Sequence, residues 1–323
     1  MSSQSVLASA RYGKDLVRVF RVVREGSWHH VVEYNVKVLL EGNIETSYTE
    51  ADNSVVVTTD AMKNITYYLA KISPHILSPE RFALHLGTHM VSKYAHIHKS
   101  FVTVEKLRWS RIPVGAEGQE QPHPHAFVRD GADKRTVEVE IDASAGKDKI
   151  VAKVSSGIAD LLVLKSTGSA FTGYIRDEYT TLREVDDRVF STSVDLKYTF
   201  APFAISAPTD AKGLDFPAPS QDTPGGVWDG EIVAERVRTA TLEIFALDES
   251  ASVQATLYKM AQRVIAENAD VQTVTYNLPN KHYIPVDMKY IGVDNTTPSK
   301  AEVFVPVAAP SGLISATISR KQG

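Results

Sequence analysis

The chain contains no cysteine among its 323 residues. Disulfides, thiolate nucleophiles, iron–sulfur clusters and cysteine-ligated zinc are thereby excluded. There is no run of 18 or more apolar residues, so no helical membrane span is expected. Positive charge is not in excess either: 35 Lys+Arg against 39 Asp+Glu leave a net charge of −4, which removes the electrostatic footprint of a general nucleic-acid binder. Neither the dinucleotide glycine fingerprint nor a P-loop occurs, and no nucleophile elbow surrounds a serine. The N-terminal Met1-Ser2-Ser3-Gln4-Ser5-Val6-Leu7 lacks the basic start and apolar core of a secretory signal. The last residues, Arg320-Lys321-Gln322-Gly323, are not a Ser-Lys-Leu type peroxisomal address.

What is present fits a folded protein. A hydrophobic share of 43% and a charged share of 23% are near globular averages, and the length suggests two domains of about 160 residues each. Val32, Tyr34, Val36 and Val38 alternate with polar residues, as in a half-buried strand. The run Leu16 to Val23 precedes them across Arg24-Glu25-Gly26-Ser27, which is turn chemistry for a hairpin. Two helices follow. One covers Asp60 to Lys71; a stronger one covers Ser78 to His98, starting on a capping serine and a proline, with Phe82, Leu86, Met90 and Ile97 as its stripe. Val102 with Val104, and Val137, Val139 and Ile141, give two more strands.

The second half repeats that order. Strands are expected at Leu161 to Lys165 and Val194 to Phe200. Val233, Val237, Ala240 and Ile244 form one helical stripe, and Val253, Leu257, Met260 and Val264 another. Strands at Val274 to Leu278, Ile284 to Met288 and Val303 to Val305 close the set. Two units are expected, residues 1–147 and 148–323, with the seam near Ser144 to Lys147. Each is an antiparallel sheet with helices on one face, an α+β fold. Such sheets leave edges that closure into a barrel would remove, and a symmetric oligomer is the natural means. Ala201 to Gly226 holds five prolines and reads as a surface excursion.

His85 and His89 are four apart on the second helix, with His96, His98 and the strand-approach pair His123 and His125 beyond. Three or four convergent ligands are needed for zinc, and the pair lacks the glutamate of the metalloprotease helix. Helix-surface or interface roles are the expected ones, and no metal site is assigned. Gln254, at the start of a helix that opens after Ser250-Ala251-Ser252, sits where unpaired N–H groups favour a planar anion. By itself a plain capped helix is the favoured explanation. Arg188, in Asp186-Asp187-Arg188, reads equally as an ordinary salt-bridge residue.

Several longer segments change that balance. Thr46 to Ser54 (TSYTEADNS), followed by Thr59-Asp60 and Lys63-Asn64, resembles the urate oxidase (uricase) family. So do Arg11-Tyr12-Gly13-Lys14-Asp15, Leu164-Lys165-Ser166-Thr167, Arg176 to Leu182 (RDEYTTL), Ser252 to Thr256 (SVQAT), Leu278 to Tyr283 (LPNKHY) and Ser311-Gly312-Leu313-Ile314. The matches run in family order from residue 11 to about residue 314. The resemblance implies two tandem tunnelling-fold (T-fold) units assembled into a barrel-shaped homotetramer. It implies oxidation of urate by oxygen and water to 5-hydroxyisourate and hydrogen peroxide, without a cofactor. By the same resemblance Phe171, Arg188 and Gln254 would stack and clamp urate, Val253 would add a backbone N–H, and Leu182 and Val56 would line the pocket. Lys14, Thr59 and His282 would form the proton relay. Asn280, with Thr59, would hold oxygen or water, and Asp60 would touch the substrate through its backbone. Lys14, Thr59 and Asp60 would come from a different subunit than Arg188 and Gln254. Family membership also implies the peroxisome, against the C-terminal residues; the cytoplasm is the alternative. Two other readings stay open: a pteridine-processing enzyme of the same fold, and a purine-binding protein without catalysis, which would not need Lys14, Thr59 and His282.

Overall fold

A computed structural model describes residues 5–205 and 230–321. Two compact units make up the chain: Met1–Gly157 with Thr199–Glu231, and Ile158–Tyr198 with Ile232–Gly323. The element order strand-strand-helix-helix-strand-strand occurs twice along the sequence, and the fold is α+β and antiparallel.

In the first unit β1 (Tyr12–Glu25) and β2 (Trp28–Gly42) form a hairpin, turned by Gly26 at φ 62°, a left-handed conformation that glycine adopts without penalty. A short helix α1 (Glu45–Thr49) leads to α2 (Thr59–Ile72) and α3 (Pro79–Lys93). Then come β3 (Ile97–Leu107), the separate hairpin β4 (Ser110–Val114) and β5 (Gln121–Val128), and β6 (Lys134–Asp142). The sheet order is β1-β2-β3-β6, continued by the start of β7 (Ile150–Lys165). Period 2 does the work here. Tyr34, Val36, Val38 and Leu40 of β2 are fully buried, as are Val102 and Val104 of β3 and Ile141 of β6 to within 1%. They face α3 through Phe82, Leu86 and Met90, all with 0% exposure, while α2, with Leu69 equally buried, packs on β1. Each such side chain stabilises the fold by about 1.5–3 kcal/mol on burial. At Gly87 an added Cβ would lie 2.8 Å from Ile141, so α3 rests on the sheet at van der Waals range.

In the second unit β8 (Phe190–Phe200) is followed by α4 (Gly230–Leu247), α5 (Val253–Glu267), β10 (Val271–Pro285), β11 (Phe304–Val307) and β12 (Leu313–Ser319); a short β9 (Phe203–Ile205) pairs with the start of β7 in the first unit. The end of β7, β8 and β10 neighbour one another in that order; β11 and β12 both pair with β10. The buried stripe Val253, Leu257, Met260 and Val264 lays α5 on β10 and β12. Tyr276 of β10 shares a 2.7 Å hydrogen bond with Thr241 of α4, and burial pushes the Tyr276 phenol up, beyond the ordinary range.

Several expectations need correction. The helix expected to reach His98 ends at Lys93, where Lys147 takes up the Val91 carbonyl, and Ile97 opens β3. His85 and His89 are 0% and 6% exposed, so they are core residues rather than surface ones; His85 bonds Ser73 Oγ at 2.8 Å. The two strands expected at Val274 to Leu278 and Ile284 to Met288 are replaced by one: β10 is a single long strand, bonded to β12 along its first half and to β11 along its second. Met288 lies beyond it, at the start of a 3₁₀ turn. The excursion from Ala201 begins with β9, and its remainder from residue 206 lies outside the described residues.

Candidate active site

The residues singled out fall into two sets, one in each unit. Lys14, Val56, Thr59 and Asp60 belong to the first; Phe171, Leu182, Arg188, Val253, Gln254, Asn280 and His282 belong to the second.

The first set is built where β1 passes the start of α2. Lys14 pairs with Val38, and Val17 with Val36, so β1 carries a bulge of one extra residue between them. Leu16 in the bulge has φ 55° and donates its N–H to Asp15 Oδ1 at 2.7 Å. Two anchors fix the approach to the helix. Tyr12 Oη accepts from the Val57 N–H at 2.8 Å, and the His96 ring bonds the Val55 carbonyl at 2.9 Å. Thr58 then caps α2, accepting from the Ala61 N–H at 3.1 Å, which makes Thr59 and Asp60 its first two helical residues. Their N–H groups have no intrahelical acceptor and point toward any anion in front of the helix. The Asp60 carboxylate is turned back on its own helix, 2.6 Å from Lys63 and 2.9 Å from Asn64. Lys63 holds that carboxyl below its ordinary range, with a further contribution from the charge of Lys14. Lys14 thus lies within electrostatic reach of the α2 start, and Val56 is half-buried beside it.

The second set rests on the excursion between β7 and β8, which braces itself. Phe171 and Val185 exchange both backbone hydrogen bonds, at 2.8 and 3.2 Å. Asp187 accepts from Thr167 Oγ1 at 2.6 Å and from the Gly168 N–H at 2.8 Å, closing the base of the loop. These bonds hold its carboxyl below the ordinary range. The Arg188 guanidinium carbon is 5.2 Å from the centre of the Phe171 ring. Its Nε is buried and has no hydrogen-bond partner among the described residues, and burial pulls the guanidinium pKa down. The salt-bridge alternative therefore has no support from that atom. Leu182 presents its side chain to solvent and its carbonyl inward.

Parallel bridging of Ser169 with Ser250 ties this loop to the approach of α5. Ser252 caps that helix, accepting from the Ala255 N–H at 3.1 Å. Val253 and Gln254 follow as its first residues, Val253 buried and Gln254 exposed. Thr256 stiffens the turn by donating to Asp248 Oδ2 at 2.7 Å. Asn280 lies half-buried on β10, its N–H bonded to the Gly312 carbonyl at 2.7 Å, and His282 is exposed two residues on, opposite Val307.

Chemically, the second unit offers a ring face, a forked cation with a free donor, and a helix start carrying an amide. The first offers an amine and a hydroxyl near a second helix start. Among the described residues, no group of three or more His, Asp or Glu side chains is placed to hold a metal ion, and no helix is long and apolar enough to cross a membrane. Tyr12, Tyr174 and Asp187 were not singled out from sequence. Tyr12 and Asp187 lie within quoted segments but carried no role there, because their partners, Val57 and residues 167–169, are visible only in the fold.

The Uricase family profile matches residues 10–140 and 154–315. Uricase from Emericella nidulans is 44% identical over 319 residues, covering 98% of each chain. Uricase from Aspergillus flavus is 43% identical over 318 residues, covering 98% of this chain and 97% of that one. Among solved structures, the crystal structure of uricase from Arthrobacter globiformis superimposes with a TM-score of 0.82 at 32% identity, covering 99% of this chain and 97% of the other.

Proposed function

Since the chain belongs to the uricase family, we propose that it oxidises urate with oxygen and water to 5-hydroxyisourate and hydrogen peroxide, using protein groups alone. The observation that carries this reading is Arg188 set against the Phe171 ring with a buried, unpartnered Nε. A buried donor left unsatisfied costs about 1–3 kcal/mol, and a flat anion stacked on the ring would recover it. In this reading Gln254 bonds the anion's edge, and the Val253 N–H at the α5 start adds a donor aimed at negative charge. Val56 and Leu182 form pocket walls.

Urate is itself an easily oxidised anion. Thr59 Oγ passes a proton to Lys14, with His282 orienting or accepting from the amine, and the deprotonated purine reacts with oxygen. A C5 hydroperoxide forms and hydrogen peroxide leaves. Water held by Asn280 and Thr59 then adds at C5. Asp60 contributes its N–H, which agrees with a carboxylate already engaged by Lys63 and Asn64. A homotetramer of two T-fold units per chain, 1–147 and 148–323, completes the site by bringing the first set of one subunit to the second set of another.

The test is the loss of urate's ultraviolet absorbance together with oxygen uptake and peroxide release. Activity should survive prolonged chelation, and metal analysis should find less than one ion per chain. Rescue only by added zinc or copper would overturn the cofactor-free part. Turnover by a sedimenting monomer would overturn the shared site. Binding of urate without oxygen uptake would leave only a purine-binding protein.

A further inference from the structure

Phe171 does not stand alone in its loop. The Tyr174 ring lies parallel to it, centroids 4.9 Å apart and planes 15° from each other. Tyr174 is itself immobilised. Its Oη donates to the Leu182 carbonyl at 2.8 Å, and Arg176 Nη1 donates both to that Oη, at 3.1 Å, and to the same carbonyl, at 2.9 Å. The triangle of Tyr174, Arg176 and the Leu182 carbonyl closes a loop already pinned by the Phe171–Val185 bridge and by Gly173, whose N–H bonds Glu184 Oε1 at 2.8 Å. Gly173 sits at φ 70°, the left-handed turn that brings the chain back so that residues 171 and 174 meet face to face.

A benzene ring has two faces. We propose that Tyr174 is a positioning residue that covers one face of Phe171 and fixes its plane, leaving the other face for the purine. This rests on Phe171 being the stacking surface for urate. A free phenylalanine ring samples rotations that an incoming planar ligand has to freeze. An offset-stacked neighbour, held at its far end by two hydrogen bonds, does so in advance. The anchor at Leu182 is its backbone carbonyl, so the brace leaves the Leu182 side chain free to line the pocket.

The experiment compares Tyr174→Leu, Tyr174→Phe and Phe171→Leu, measuring kcat, KM and the Kd of an inert purine analogue. Tyr174→Leu should raise KM and analogue Kd together by about fivefold, the scale of one lost aromatic pairing, with kcat within about twofold. Tyr174→Phe keeps the ring and should restore most of that loss. A loop that merely collapsed would lower kcat as well and would not be rescued by phenylalanine. Tighter analogue binding in Tyr174→Leu would mean that Tyr174 occupies the ligand's face, and unchanged KM would mean that it positions nothing; either overturns the inference. If Tyr174→Leu does not fold, Arg176→Gln tests the same brace. An unchanged analogue Kd in Phe171→Leu would instead overturn the stacking role of Phe171, a separate failure.

Discussion

The two units solve one structural problem alike and carry different sets of candidate site residues. In each, the second helix is 15 residues long and ends four residues before the next strand. In each, one cation gathers three carbonyls from that junction. Lys147 Nζ bonds the carbonyls of Val91, Tyr94 and Ile97. Arg320 bonds those of Ile265 and Asn268 at 2.6 and 2.7 Å through Nη2, and Val271 at 3.0 Å through Nε. The carbonyl spacing, three and three, is the same. Lys147 follows β6 and Arg320 follows β12, and both sit at the negative end of a helix with unsatisfied acceptors. The active-site sets share no such plan. The first unit uses a strand bulge and the start of its first helix, the second a 20-odd-residue braced loop and the start of its second helix. Packing constrains the frame, and the exposed starts and loops are left free to differ.

That contrast can be broken most sharply at the chemistry. Lys14→Met and Thr59→Ala should each lower kcat by about 10²–10⁴-fold, and the double variant should be little worse than the poorer single one, since the two act as one relay. Analogue affinity should survive in all three because the second set is untouched. A double-mutant cycle with additive losses would refute the coupling. Arg188→Lys keeps charge but loses the planar fork, so kcat/KM should fall by roughly 2–4 kcal/mol. An effect below about tenfold would return Arg188 to a structural role.

Smaller effects test the frame. Lys147→Ala and Arg320→Ala should each destabilise the chain by about 2 kcal/mol, with faster amide exchange confined to the end of α3 in one and of α5 in the other. If only one does so, the two junctions are alike in shape and not in energy. The smallest effect concerns pH. Burial pushes the Asp142 carboxyl up, but the Lys99 ammonium 2.7 Å away and the Ser144 N–H outweigh it and hold the pKa at about 2, against an ordinary 3.8. A folded pKa below the unfolded one gives stability that is present above about pH 4 and lost as the pH falls toward 2. Asp142→Asn should remove on the order of 1 kcal/mol at neutral pH and flatten the decline over that window, read by urea unfolding at stepped pH.

Periodicity made most of this frame legible. The strands at 32–38, 102–104 and 137–141 and the stripes of α4 and α5 follow directly from alternation and helical spacing. The β4–β5 hairpin did not, because Pro113, Pro122 and Pro124 interrupt its pattern. The burial of His85 and His89 was missed because α3 is covered nearly all round, so its stripe understates its core face. The site residues came from family likeness. Periodicity says which face of a strand meets the core, but not that Tyr12 reaches Val57, 45 residues on, or that Asp187 closes a loop opened at Thr167.

The bulge in β1 carries a consequence for insertions and deletions. Residues alternate along a strand, so an uninterrupted β1 would put Lys14 on the same side as Leu16 and Arg18, which are exposed, and opposite Val17 and Val19, which are buried. The extra residue reverses that parity. Tyr12 and Lys14 pair with Leu40 and Val38 and so share the core side with Val17 and Val19, where α2 lies. Deleting Leu16 would remove a solvent-exposed side chain and relieve a left-handed backbone. It would leave every pairing from Val17 to Glu25 intact. Lys14 would still oppose Val38 and Tyr12 would still oppose Leu40 on the core side, because without the extra residue Lys14 stands two positions before Val17. Deleting Asp15 and Leu16 together would instead set Lys14 opposite Lys37 and turn its amine and the Tyr12 phenol to the far side, so a lesion of two exposed residues, mild for folding, would be lethal for the chemistry.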